Sequence, residues 1–379
     1  MKRIIAAIMA LLITIPGCGE HEETIESEVK EPDKVCQLMA EMTLSDKVYQ
    51  LMFVTPEAIT GVGTVIQAGE ATKKALSEKP VGGIIYFSAN LKNATQTKEM
   101  IENTQSYSKI PLFTGVDEEG GIVSRLGSNP SMGVTYHPPM REIGDSKNPE
   151  KAYDVGKTLG SELSYLGFNV DFAPVADVLV NSGNSVIGNR SFGTEPENVA
   201  TMVFEEVKGM EENGVSATLK HFPGHGSTYS DSHSGYAAST RTLEELRQAE
   251  FIPFAKGISA GVDFIMVAHI TMVNATKDKL PATLSSEVVE GMLKGELGYK
   301  GIVITDAMNM GAIANQYTTE EATVKAILAG CDMILMPKDL TVAHNAIIAA
   351  VASGEITEER IDESVRKILS LKIEKGLIK

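Results

Sequence analysis

Eight short apolar runs recur along this chain, and most of the gaps between them show helical periodicity. That alternation limits the fold more than any other feature. The runs lie near 49–54, 83–87, 112–116, 169–172, 215–219, 264–268, 301–305 and 333–336. Apolar stretches this short, without strict alternation, read as strands buried on both faces, as in parallel sheets. Helical stretches include 95–106, 149–166, 197–213 and 243–257, the last expected to bend or end at Pro253. Ile361, Val365, Ile368 and Leu369 form one apolar stripe of a C-terminal helix. Eight strand–helix repeats predict an α/β fold, a (β/α)8 barrel of the TIM type. An open doubly wound sheet is the alternative, but it would want a glycine-rich phosphate turn after its first strand. Gly120-Gly121 lacks that spacing.

The N-terminus has a different character. Lys2 and Arg3 precede an apolar run, 4–15, too short for a standard membrane span. This is the layout of a secretory signal, and Cys18 after Gly17 resembles a bacterial lipoprotein cleavage site. The expectation is a signal peptide over 1–17, a lipid on Cys18 and an extracytoplasmic, membrane-anchored protein; an ordinary cleaved signal is the alternative. Residues 18–34, rich in glutamate, read as a solvated tether, and 35–379 as one domain. A net charge of −16 argues against nucleic acid as a partner. The lack of tryptophan leaves a sugar site dependent on hydrogen bonds. Cys36 and Cys331 read as small core residues, with a disulfide between them left open. No CxxC or His-Cys cluster calls for a metal, and no cofactor is expected.

In such a barrel the active site lies at the C-terminal ends of the strands. Chemistry-bearing residues fall there repeatedly. Asp117-Glu118-Glu119 and then Arg125 follow the third run. Asp177 and Arg190 follow the fourth, Lys220 and His221 the fifth, His269 the sixth and Asp306 the seventh. The fifth is the richest: 219–235 holds three of the seven histidines, His221, His225 and His233. Pro223, Gly224 and Gly226 open it from a strand into a long loop carrying Asp231 and His233. Repeated charges at strand ends point to one shared pocket.

Three motifs carry a resemblance. They are Lys220-His221-Phe222-Pro223-Gly224-His225-Gly226 with Asp231-Ser232-His233, Gly188-Asn189-Arg190-Ser191-Phe192-Gly193, and Ile304-Thr305-Asp306-Ala307-Met308. In these the chain resembles glycoside hydrolase family 3, specifically its β-N-acetylglucosaminidase branch, over essentially all of 35–379. Many members have a second domain that supplies a glutamate acid/base. The barrel-only members resembling this chain use a histidine–aspartate pair on the loop after the fifth strand, and this chain is expected to be one of them. The resemblance implies a retaining exo-enzyme that releases non-reducing GlcNAc from peptidoglycan fragments or related glycans.

On that resemblance Asp306 is the expected nucleophile, forming a glycosyl ester. Its plain alternative is a cap on the next helix. His233, paired with Asp231, is the expected acid/base; the alternative is a solvated polar loop. Asp117, Arg125, Arg190, Lys220 and His221 are the expected sugar-binding set, each otherwise a member of a structural ion pair. His225 is expected to brace the loop and His269 to line the pocket floor. Glu118, Glu119 and Asp177 are expected to bond backbone amides or pair with arginines. Three other functions stand beside this one: a family 3 β-glucosidase or phosphorylase, a metal-dependent hydrolase using the loop histidines, and a non-catalytic wall-sugar-binding lipoprotein.

Overall fold

The computed structural model describes residues 33–228, 232 and 235–379. Cys18, Asp231 and His233 lie outside the described residues, as do the signal and nearly all of the tether. All eight expected strands are present: β1 Met52–Val54, β2 Gly83–Ile85, β3 Phe113–Val116, β4 Val170–Asp171, β5 Ser216–Phe222, β6 Phe264–Val267, β7 Ile302–Thr305 and β8 Ile334–Leu335. Each strand from β1 to β6 pairs in parallel with the next, and β8 pairs with β1 through Met52↔Ile334. The circle closes where Ile304 bridges Met333, with Thr305 N–H donating to Met333 O at 3.1 Å. Closure leaves no sheet edge and sets all strand C-termini at one mouth. The barrel is the expected one.

The strands are buried on both faces. Inside, Phe53 and Phe172 meet edge to face with ring centroids 5.2 Å apart. Gly83 and Gly115 make that possible. A Cβ on Gly83 would lie 2.6 Å from Phe53, and one on Gly115 would lie 2.8 Å from Phe172. At the end of the barrel away from the mouth, Lys372 is fully buried. Its Nζ donates to Gln50 Oε1 at 2.8 Å and lies 5.0 Å from the Phe113 ring.

Helix boundaries follow local chemistry. Thr43 and Asp46 form a capping box that starts Leu44–Gln50, and Thr318 and Glu321 do the same for Thr319–Ala329. Tyr49 and Gln50 belong to that first helix, so the first strand starts later than the apolar run suggested. The expected helix over 243–257 is two helices, Leu243–Gln248 and Phe251–Ser259. The break falls at Ala249 and Glu250, and Pro253 sits in the first turn of the second helix. Proline needs no amide partner there, so it helps to begin a helix rather than end one. Cys36 and Cys331 are both free thiols. Among the described residues no helix is long and apolar enough to cross a membrane.

Candidate active site

A cavity of ≈ 580 Å³ opens at the barrel mouth. Asp117, Arg125, Arg190, Lys220, His221 and Asp306 all line it, as does Glu119. The volume is within the usual range for small-molecule sites. Six of the eight expected site residues therefore converge; Asp231 and His233 are the two outside the described residues.

Glu119 is the hub of the cluster. Its carboxylate receives Arg190 Nε and Nη2, each at 2.8 Å, and lies 2.5 Å from Lys220 Nζ. Lys220 also reaches Asp117 Oδ1 at 2.9 Å. Burial alone would raise the pKa of Glu119, but Arg190 and Lys220 outweigh it and hold the carboxyl well below the usual range. Burial would lower the pKa of Lys220, but Asp117 and Glu119 outweigh it and keep the ammonium charged. Arg190 spends its third nitrogen on Val186 O at 3.1 Å. Arg125 is held more loosely. Its Nη2 lies 3.6 Å from Asp117 Oδ2, its guanidinium stands 5.6 Å from the Phe87 ring centroid, and its Nε has no partner among the described residues.

Glu118 serves the backbone, as expected. It accepts Leu126 N–H at 2.7 Å and Gly127 N–H at 3.2 Å, and also bonds Ser124 Oγ. These bonds fasten the small hairpin Glu118–Gly120 with Val123–Ser124, which carries Arg125 to the cavity. Asp177 bonds a backbone amide, as expected, and its ionisable partner is a histidine rather than an arginine. It accepts His221 Nδ1–H at 2.7 Å and His225 N–H at 2.5 Å, with no exposure to solvent. Burial would raise its pKa, but His221 and His225 hold it down. A carboxylate can only accept, so the His221 proton is placed on Nδ1. In neutral His221 the other ring nitrogen, 3.5 Å from Arg190 Nη2, is an acceptor.

Asp306 ends β7. Its amide donates to Val267 O at 3.0 Å, and its Oδ1 accepts Ala307 N–H at 2.7 Å. It does not cap a helix: the next one, Gly311–Ala314, begins at Met310 without a side-chain cap. His269 lies under this turn rather than on the pocket floor, where it was expected. Its Nε2 donates to Ala307 O at 3.0 Å and its Nδ1 meets Thr283 Oγ1 at 2.8 Å, so it steadies the chain beside Asp306.

His225 braces the loop, as expected. It is buried, which lowers its pKa, and its Nδ1 meets Thr228 Oγ1 at 2.8 Å. Its Nε2 meets Ser232 Oγ at 3.1 Å, and Ser232 O accepts Ala312 N–H at 3.0 Å. Ser232, between Asp231 and His233, is thus tied both to the start of its loop and to the helix after β7. The glycines of this motif have steric reasons. A Cβ on Gly226 would lie 1.8 Å from Val178 O, and Gly224 has φ +132° with Glu250 side-chain atoms 2.6 Å from its Cβ position.

Among the described lining residues three carboxylates, Asp117, Glu119 and Asp306, face three cations, Arg125, Arg190 and Lys220. The balance suits a neutral, polyhydroxylated ligand. Among the described residues no group of three or more His, Cys, Asp or Glu side chains is arranged to hold a metal ion.

Known proteins agree with this geometry. The model of the glycosyl hydrolase family 3 N terminal domain matches residues 43–371. A β-hexosaminidase of Nitrosomonas eutropha is 33% identical over 84% of this chain and 93% of its own length. β-Hexosaminidase A of Pseudoalteromonas piscicida is 34% identical over 78% of this chain, which spans 54% of that relative. A family 3 β-N-acetylglucosaminidase from Paenibacillus sp. str. FPU-7 superposes with a TM-score of 0.83 and 41% identity. The match covers 89% of this chain and 63% of that structure. A β-glucoside phosphorylase superposes with a TM-score of 0.80 at 26% identity, covering 90% of this chain and 61% of that structure. With a family model matched from the first capping box to the last helix, the chain belongs to glycoside hydrolase family 3.

Proposed function

We propose that this protein is a retaining exo-β-N-acetylglucosaminidase that removes non-reducing GlcNAc from glycans, peptidoglycan fragments included. The observation that carries the reading is the placement of Asp306. It stands at the end of a rigid strand, in one cavity with the balanced cluster of Asp117, Glu119, Arg190, Lys220 and His221. Lys220, the arginines and His221 donate to sugar hydroxyls or an acetamido carbonyl, and Asp117 accepts. The Asp306 carboxylate attacks the anomeric carbon, and the glycosidic C–O bond breaks as its oxygen takes a proton from His233. Water then attacks the ester, gives its proton to His233 and frees Asp306. Asp231 favours the imidazolium and orients the ring.

The first test compares an aryl β-GlcNAc with an aryl β-glucoside. The expected result is cleavage of the GlcNAc compound alone, reduced by about a thousandfold or more in Asp306→Ala. A preference for the glucoside would overturn the substrate, and an active Asp306→Ala would overturn the nucleophile. Phosphate as acceptor is the second reading, favoured by the phosphorylase among the structural neighbours. The paired state of Arg190 and Lys220 favours water instead. Release of free GlcNAc in phosphate buffer, without GlcNAc 1-phosphate, is the expected outcome.

The cellular site is a separate proposal, supported by the signal-like 1–17 and by Cys18. Radiolabelled fatty acid fed to an expressing bacterium should enter the full chain and not Cys18→Ser. Equal labelling, or none in either, would remove the anchor.

A further inference from the structure

A second cavity of ≈ 390 Å³ adjoins the first, and Ile122, Ser185 and Arg190 line both. Its other walls are the Gly120-Gly121 turn, Pro139 and the loop from Ser182 to Asn189. The loop is held in shape from behind. Buried Asn184 accepts Val186 N–H and Ile187 N–H at 3.0 and 2.9 Å, and its Nδ2 donates to His225 O at 2.8 Å. The second cavity is thus fixed to the same loop base as the first.

Its chemistry differs from its neighbour's. Arg190 is the one charged side chain among its described lining residues, and both ends of that guanidinium are already bonded, to Glu119 and to Val186 O. What remains is hydroxyl and carboxamide from exposed Ser182, Ser185 and Asn189, with the apolar surface of Ile122, which is 84% exposed. The ring of Tyr136 is half exposed at the border, its hydroxyl donating to Gly121 O at 3.4 Å. Apolar patches beside hydroxyl and amide groups match the two faces of a pyranose. Among its described lining residues no unpaired cation is present to receive an anion, and the chain's net charge of −16 repels one.

Building on the glycosidase reading, we propose that this cavity is the subsite for the sugar on the leaving side of the scissile bond. It selects an uncharged N-acetylhexosamine over a ring that carries a carboxylate. Chitooligosaccharides are then better substrates than muramic-acid-containing fragments.

The test measures kcat/KM for GlcNAc-β-1,4-GlcNAc, for GlcNAc-β-1,4-MurNAc and for methyl β-GlcNAc. The native enzyme should prefer the neutral disaccharide by about tenfold. Ser182→Trp fills the cavity and should lower the ratio of disaccharide to methyl glycoside. Ser182→Lys adds a free cation and should shift the preference toward the muramic compound by about fivefold. A native preference for the muramic compound, or ratios unmoved by both variants, would overturn the subsite. Failure of the native protein to cleave any of the three would overturn the glycosidase reading instead. The subsite would then rest on calorimetric titration with GlcNAc-β-1,4-GlcNAc, where equal affinity of native protein and Ser182→Trp would refute it and weaker binding by the variant would support it.

Discussion

His221 owes its proton position to Asp177, a residue that never reaches the cavity. Asp177→Asn keeps the shape and an acceptor for the His225 amide but removes the charge that holds Nδ1–H. A hydrogen bond to a charged group contributes about 1.5–3 kcal/mol, so kcat/KM on an aryl β-GlcNAc should fall about tenfold to a hundredfold. KM should carry most of the loss, because the role proposed for His221 is to bind the sugar and not to take part in bond breaking. A loss confined to kcat would contradict that role. Most of this set was legible in the sequence, because Asp117, Lys220, His221 and Asp306 stand directly after apolar runs. The hub role of Glu119 was not. It depends on Arg190, 71 residues away, and nothing local tells one acid in Asp117-Glu118-Glu119 from the next. The proton on His221 Nδ1 was likewise hidden until Asp177 was found beside it.

Among the elements, Pro149–Leu166 and Pro196–Glu211 approach each other closely at glycines. Gly156 admits the Glu206 carbonyl where a Cβ would stand 2.1 Å away, and Gly209 admits Tyr153 O at 2.5 Å. Glu206 is fully buried there, and neither carboxyl oxygen has a hydrogen-bond partner among the described residues. Burial pushes its pKa up to about 8. The folded state therefore keeps a proton that the unfolded chain releases above its ordinary value near 4.5. This group's contribution to stability is intact below that value and is lost as pH rises toward 8. Glu206→Gln, neutral at every pH, should match the native protein most closely below pH 4.5. At pH 8 it should exceed it by several kcal/mol, on the order of 4, in urea unfolding, given about 1.4 kcal/mol per pKa unit. A difference independent of pH would show that Glu206 is not held neutral. Helix ends were only partly legible. Pro253 looked like a terminator, yet its place in a first turn depends on where Ala249 and Glu250 break the chain. The parallel pair Ala237–Ser239 with Ile270–Met272 left no signal, since three-residue strands show no period.

For the whole molecule, the closed barrel brings Asp117, Arg190, Lys220 and Asp306 from beyond the ends of β3, β4, β5 and β7 to one cavity. Eight runs of continuous apolar sequence made that architecture legible, since only a parallel sheet covered on both faces uses such runs. The second cavity was not legible: it forms where the loop after β4 meets the hairpin after β3, and neither segment shows it alone. The central claim is that Asp306 is the carboxylate that bonds to the sugar. A 5-fluoro-GlcNAc fluoride, which forms a glycosyl ester faster than the ester hydrolyses, tests it directly when followed by proteolysis and mass spectrometry. The expected result is one sugar per chain, on the peptide containing Asp306, and none on Asp306→Ala. Turnover of an aryl β-GlcNAc with no label on Asp306, or label on another carboxylate, would contradict the account.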